Sequence, residues 1–238
     1  MNNDTLQSTL SKLIQSGSQS NPAMNTLLSD YTRYHVVLVV VGGLLVLIFI
    51  LLSLFFWTQF KKAPRDTKHK WTFEKKTYLS FVALSTVIGL LLAVIVTANA
   101  TNVLNPRNGF SLLVDTLGTP KVGTQMDKLY RAFNAWVQSG STNIPSLIQG
   151  KIDERLAWQR PKAIVSGVLL IVFVALSTDI WSILIKTSRA GESKWGLKER
   201  VLLVSGTVAI TLSLLLMVIV VANMQGAIAP ITLTLNFG

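Results

Sequence analysis

The chain contains no cysteine, which excludes disulfides, thiol nucleophiles and cysteine-ligated metals, and so removes the usual staples of a secreted scaffold. It has only two histidines, and their places in the sequence do not let them share a metal ion. No HExxH, GxSxG, glycine-rich phosphate loop or cluster of acidic residues occurs, so the chain offers no constellation for catalysis and none for a cofactor. Acidic residues are scarce, 11 against 22 Lys and Arg. No cleavable signal peptide is expected, because the first apolar run begins near residue 36 and is too long for an h-region.

Long apolar runs are what the chain has in abundance. Half of its 238 residues are hydrophobic, and its mean hydropathy of +0.49 is high for a water-soluble domain. Four runs, near 36–57, 78–98, 163–185 and 201–222, reach the roughly 20 residues that an α-helix needs to cross a hydrocarbon core. Asp179 is the only acidic or basic residue within them. The expectation is an all-α integral membrane protein with four transmembrane helices.

The net charge of +11 argues against nucleic acid as a partner, because the basic residues crowd beside the spans as topology signals do. Loop 58–77 carries Lys61, Lys62, Arg65, Lys68, Lys70, Lys75 and Lys76 against Asp66 and Glu74. Loop 186–200 carries Lys186, Arg189, Lys194, Lys198 and Arg200 against Glu192 and Glu199. The positive-inside rule places both loops in the cytoplasm, with the two termini and the 101–162 segment outside. Eight basic residues in 101–162 dilute that signal over a longer segment. A cysteine-free exterior fits a bacterial envelope better than a eukaryotic surface. Lys61, Lys62, Arg65, Lys186 and Arg189 are candidate contacts to anionic lipid, at about 1 kcal/mol per basic residue near the surface; the alternative is that they only set topology.

Displacing the sequence by 124 residues lays its second half on its first without gaps over two spans. Gly43 meets Gly167, Phe49 meets Phe173, Ser53 meets Ser177 and Trp57 meets Trp181. Lys70-Trp71 meets Lys194-Trp195, and Ala98-Asn99 meets Ala222-Asn223. Leu and Val pairs between spans are cheap, but Trp, Lys-Trp and Ala-Asn pairs in one register are not. With a shift of one residue, Gln15-Ser-Gly-Ser before Pro22 returns as Gln138-Ser-Gly-Ser before Pro145. The chain thus reads as two tandem repeats, 1–115 and 124–238. Each unit crosses twice, so the copies are parallel and related by a pseudo-two-fold axis along the membrane normal.

Amphipathic helices outside the membrane precede each first span. Asp4 and Gln7 form a capping box for one, with Leu6, Leu10, Leu13 and Ile14 as its stripe and Gly17 as its end. Thr124 and Asp127 open the other, whose stripe is Met126, Leu129, Tyr130, Phe133, Trp136 and Val137, and Gly140 ends it. The stripes are covered by the membrane surface, by each other or by a partner, with capping of the bundle as the plainest arrangement. Pro22 and Pro145 start helices that run on into the first and third spans.

Ser85, Gly89, Ala93 and Thr97 make a small-residue seam on the second span; Ser205, Ala209 and Ser213 do so on the fourth. Such seams let helix backbones approach in lipid. They nominate the second and fourth spans for contact across the two-fold axis, or each for its neighbour within a repeat. Asp179 is a functional candidate by its depth alone. It aligns with Phe55 and lies two turns from Lys186, so a structural or snorkelling role competes with an ion or partner contact. Asn99 and Asn223 end the outgoing spans, where they cap, bond between helices or line an entrance. Trp57, Trp181, Trp71 and Trp195 read as an aromatic belt.

These features point to a non-catalytic membrane subunit that assembles with other membrane or envelope proteins or with itself, in contact with membrane lipids. An oligomeric channel or small transporter, with its path at a repeat or subunit interface, is the competing function. The parallel duplication favours it, and the scarcity of polar groups at membrane depth weighs against it.

Overall fold

A computed structural model describes residues 5–17, 20–64, 71–190 and 196–237. Among these the protein is all-helical: α1 (Leu6–Gln15), α2 (Pro22–Lys62), α3 (Phe73–Leu104), α4 (Pro106–Asp115), α5 (Gln125–Ser139), α6 (Ser146–Arg189), α7 (Leu197–Ile228) and α8 (Pro230–Phe237). Helices α2, α3, α6 and α7 are each long and apolar enough to cross a membrane. Their starts follow the sequence displacement: Pro22 and Ser146, Phe73 and Leu197, and Pro106 and Pro230 each differ by 124 residues.

Local chemistry sets the helix ends. Thr5 caps α1, its hydroxyl accepting the Ser8 N–H; it takes the place expected for Asp4, which lies outside the described residues, as does Ser18 of the first Gln-Ser-Gly-Ser turn. Thr124 caps α5 by accepting the Asp127 N–H, and Asp127 in return accepts the Gly123 N–H. Gly17 and Gly140 follow α1 and α5 at φ +63°, the left-handed conformation that closes a helix and favours glycine. Asn21 caps α2 by accepting the Met24 N–H, while its amide donates to the Val137 carbonyl at 2.8 Å.

The chain forms two compact units. The first comprises Met1–Val40, Val96–Ala163 and Ala222–Gly238. Its interior is an ordinary hydrophobic core: Leu10, Phe110, Val114, Phe133, Val137, Ile148 and Leu235 are fully enclosed, with Trp136 and Met24 beside them. Leu6 and Leu10 of α1 and Leu129, Phe133, Trp136 and Val137 of α5 all belong to it. The two amphipathic stripes therefore cover each other, because α1 packs on α5 and α4. Trp136 is satisfied as well as buried, its indole N–H donating to the Ser141 carbonyl at 2.9 Å.

The second unit comprises Val41–Ile95 and Ile164–Val221. It is helix on helix, and its outer faces are apolar: Leu44, Leu47, Leu51, Leu54, Val94 and Ile171 are all exposed. At most 17% of the most apolar stretch of each long helix is buried, so these faces suit hydrocarbon around them; in water they would be a large association surface. Ser53 bonds Thr86 between α2 and α3 at 2.8 Å, and Phe56 packs on Phe81 of α3. Phe81 in turn meets Trp181 of α6 edge-on, ring centres 4.9 Å apart.

The seams pack differently from an α3–α7 contact. A side chain on Gly89 would meet Phe49 of α2 at 3.5 Å, so the seam there faces its own repeat. On α7, Ser205 is exposed, and the close approach falls one residue on, at Gly206, where an added Cβ would lie 3.0 Å from Ile180 and Trp181 of α6. Ser85 and Ala209 are buried, and Ala93 and Ser213 are half-buried.

Candidate functional site

In the first unit, the stretch of α2 just before the apolar run carries Asp30, Tyr31, Tyr34 and His35. Helical spacing sets Tyr31 beside Tyr34 and His35, and both tyrosines meet the imidazole edge-on. His35 Nδ1 donates to Asn99 Oδ1 of α3 at 2.6 Å. A cleft of about 350 Å³ opens beside this group, lined by Tyr31, Tyr34, His35, Asn102, Gly109 and Asn236 among others. Its groups are aromatic or neutral hydrogen-bonders. The nearest carboxylate, Asp30, is committed elsewhere: Oδ2 accepts the Thr232 N–H at 2.6 Å and the Thr232 hydroxyl at 2.7 Å, in the first turn of α8. Burial pushes the Asp30 carboxyl up, against the lowering effect of these bonds. A carboxylate there complements the amino end of α8.

Asn99 is thus part of an α2–α3 hydrogen bond, and α3 continues five residues past it to Leu104. Its aligned partner Asn223 is half-buried, again inside a helix. Near it, Gln225 donates to the Tyr34 carbonyl at 3.2 Å, joining α7 to α2.

In the second unit, the carboxyl ends of α2 and α6 and the start of α3 enclose a cleft of about 370 Å³, lined by Gln59, Lys62, Pro64, Thr72, Glu74, Ser188 and Arg189. Glu74 is buried there and receives a two-pronged pair from Arg189: Nε to Oε2 at 2.9 Å and Nη2 to Oε1 at 2.6 Å. Lys62 and Arg189, two of the basic residues singled out by charge, therefore share one site. Lys61 sits over the Trp57 ring at 5.4 Å, Lys186 is exposed on α6, and Arg65 lies outside the described residues, as do His69, Lys194 and Trp195.

Asp179 is exposed on α6, on a face with Val172, Leu176 and Ile183, which are exposed too. It makes no hydrogen bond or ion pair to any described residue. The tryptophans divide: Trp57 and Trp71 are exposed, as interfacial belt residues are, whereas Trp181 is half-buried against Phe81 and Gly206.

Glu74 and Asp30 lie outside the apolar runs, so neither stands out in the sequence as Asp179 does by its depth. One signal for Glu74 is that Glu74-Lys75 aligns with Lys198-Glu199, a reversal of sign that also occurs in this loop where Lys68 aligns with Glu192. Among the described residues no three His, Asp or Glu side chains gather as metal ligands would. Compared with known proteins, the chain matches no family model, no curated protein and no solved structure.

Proposed function

We propose that the protein is a non-catalytic integral membrane subunit that assembles with other membrane or envelope proteins. The observation that carries this is Asp179 on the exposed, otherwise apolar face of α6. A carboxylate held toward hydrocarbon costs about 2.5–3.5 kcal/mol at mid-membrane on insertion scales, and less at Asp179, two turns from Lys186 toward the end of its apolar run. No described group of the chain offsets that cost. A basic or hydrogen-bond-donating group on a neighbouring helix would, and it would give the contact a fixed depth and register.

In this reading the two repeats lie parallel about a two-fold axis, the loops at 58–77 and 186–200 face the cytoplasm, and the packed first unit lies outside. Helix starts that recur at 124 residues support the repeat, and the basic loops support the orientation. The first unit then offers partners a built surface in addition to lipid-facing helices.

The test is purification from native membranes in mild detergent, with wild type and Asp179→Leu side by side. A stoichiometric partner whose recovery falls in the variant is expected. A lone, monodisperse homo-oligomer that carries ion current in planar bilayers would sink the subunit reading in favour of a channel.

A further inference from the structure

We propose that the cleft between the ends of α2 and α6 and the start of α3 binds a singly charged phosphodiester, the head group of an anionic membrane lipid. This stands apart from the subunit reading and does not depend on it.

Charge selects the ligand. Among the described residues, Lys62 and Arg189 bring two positive charges to the cleft and Glu74 one negative, leaving a single net positive charge on its described lining. That balance suits a phosphodiester monoanion better than a phosphomonoester approaching two charges. Glu74 lines the cleft too, but it is buried and both its oxygens are engaged by Arg189, which offsets its repulsion of an anion. Arg189 has five N–H donors, and the pair with Glu74 uses two of them; its side chain remains 56% exposed. Gln59 and Ser188 add neutral hydrogen-bonding groups to the lining, suited to head-group hydroxyls.

The walls are set before a ligand arrives. Lys75 is buried and its Nζ donates to the Ala63 carbonyl at 3.0 Å, over the Phe60 ring. The Thr72 hydroxyl donates to the Pro64 carbonyl at 3.2 Å. Together these bonds tie Ala63 and Pro64, just after α2, to Thr72 and Lys75 at the start of α3, so these described parts of the wall are held before a ligand binds.

Depth favours a lipid source. Trp57 stacks on Phe60, which meets Trp71 edge-on. Trp57 and Trp71 are 41% and 42% exposed, and tryptophans so placed mark the head-group level. Leu51, Leu54 and Phe55, one to two turns back along α2, are exposed to receive acyl chains. Basic pockets between spanning helices at this level are where anionic head groups seat.

The full chain, purified in a neutral detergent, is titrated with phosphatidylglycerol, phosphatidylcholine and, separately, the water-soluble phosphodiester glycerophosphoglycerol, and bound molecules are counted by native mass spectrometry. One phosphatidylglycerol per chain is expected at concentrations where phosphatidylcholine is not retained. Lys62→Gln should weaken it about fivefold, the equivalent of about 1 kcal/mol for one surface lysine. Lys186→Gln removes the same charge outside the cleft and should leave affinity within about twofold. Retention of glycerophosphoglycerol as tightly as the lipid would keep the site and assign it to a soluble phosphodiester. Equal losses in the Lys62 and Lys186 variants, with circular dichroism unchanged, would overturn the site in favour of diffuse attraction; so would equal retention of the two lipids.

Discussion

Replacing Arg189 with Gln leaves Glu74 buried without its cation, and the cost can be bracketed from the geometry. A fully buried pair broken on one side loses about 3–5 kcal/mol, because a desolvated charge is stranded. A fully exposed pair is worth about 0–1 kcal/mol. Here the Glu74 side chain is 3% exposed and that of Arg189 56%, so water can reach the vacated position but not all of the carboxylate. The expected loss for Arg189→Gln is about 2–3 kcal/mol, between those limits. Glu74→Gln neutralises the buried group instead and should lose less, about 1–2 kcal/mol, the worth of its charge-assisted hydrogen bonds less the desolvation relieved. The double variant should resemble Glu74→Gln alone, giving a coupling equal to the Arg189→Gln loss, about 2–3 kcal/mol. Unfolding in mixed micelles of rising dodecyl sulfate fraction, followed by circular dichroism, measures all four corners of the cycle. If Arg189→Gln lies within about 0.5 kcal/mol of wild type, or Glu74→Gln is the worse single variant, the pair is not the clamp described.

Two further outcomes follow from the first unit. Burial raises the Asp30 carboxyl above its ordinary value of 3.8, so the folded chain holds that proton more tightly than the unfolded chain does. Its contribution to stability is fully present below 3.8 and is lost as pH rises through the raised folded value; Asp30→Asn should flatten that part of a melting-temperature profile, and an unchanged slope would refute it. At Gly109, an added Cβ would sit 2.5 Å from Tyr31 Oη and 2.6 Å from Asn102 Oδ1. Gly109→Ala should therefore destabilise by about 1–3 kcal/mol through overpacking, with partial rescue by Tyr31→Phe; a neutral Gly109→Ala would show that the cleft is looser than drawn.

The long helices were legible because a spanning helix announces itself by length and apolarity alone, and their starts at Pro22 and Ser146 follow from capping and proline chemistry. The stripes of α1 and α5 were legible as stripes, but periodicity does not name what covers a face. That α1 and α5 cover each other depends on contacts across more than a hundred residues, such as Gln138 to Thr9. The seams were legible as seams without their neighbour: small residues permit close approach to any helix, and at Gly89 the close side chain is Phe49 of α2. The site was legible only in its basic half. Lys62 and Arg189 stand out by charge, whereas Glu74 gains its meaning from being buried beside Arg189, and burial is not written in local sequence. Repeat alignment also misled at Trp57 and Trp181, since one indole faces outward and the other is wedged between helices.

The central claim is a chain that crosses the membrane four times, with its basic loops on one side and the 101–162 segment on the other. Because the chain has no cysteine, single cysteines at Lys68 and Thr142 report their sides without background. An impermeant maleimide applied to intact cells should label Thr142→Cys at once and Lys68→Cys only after permeabilisation. Labelling of both from the same side would contradict the account.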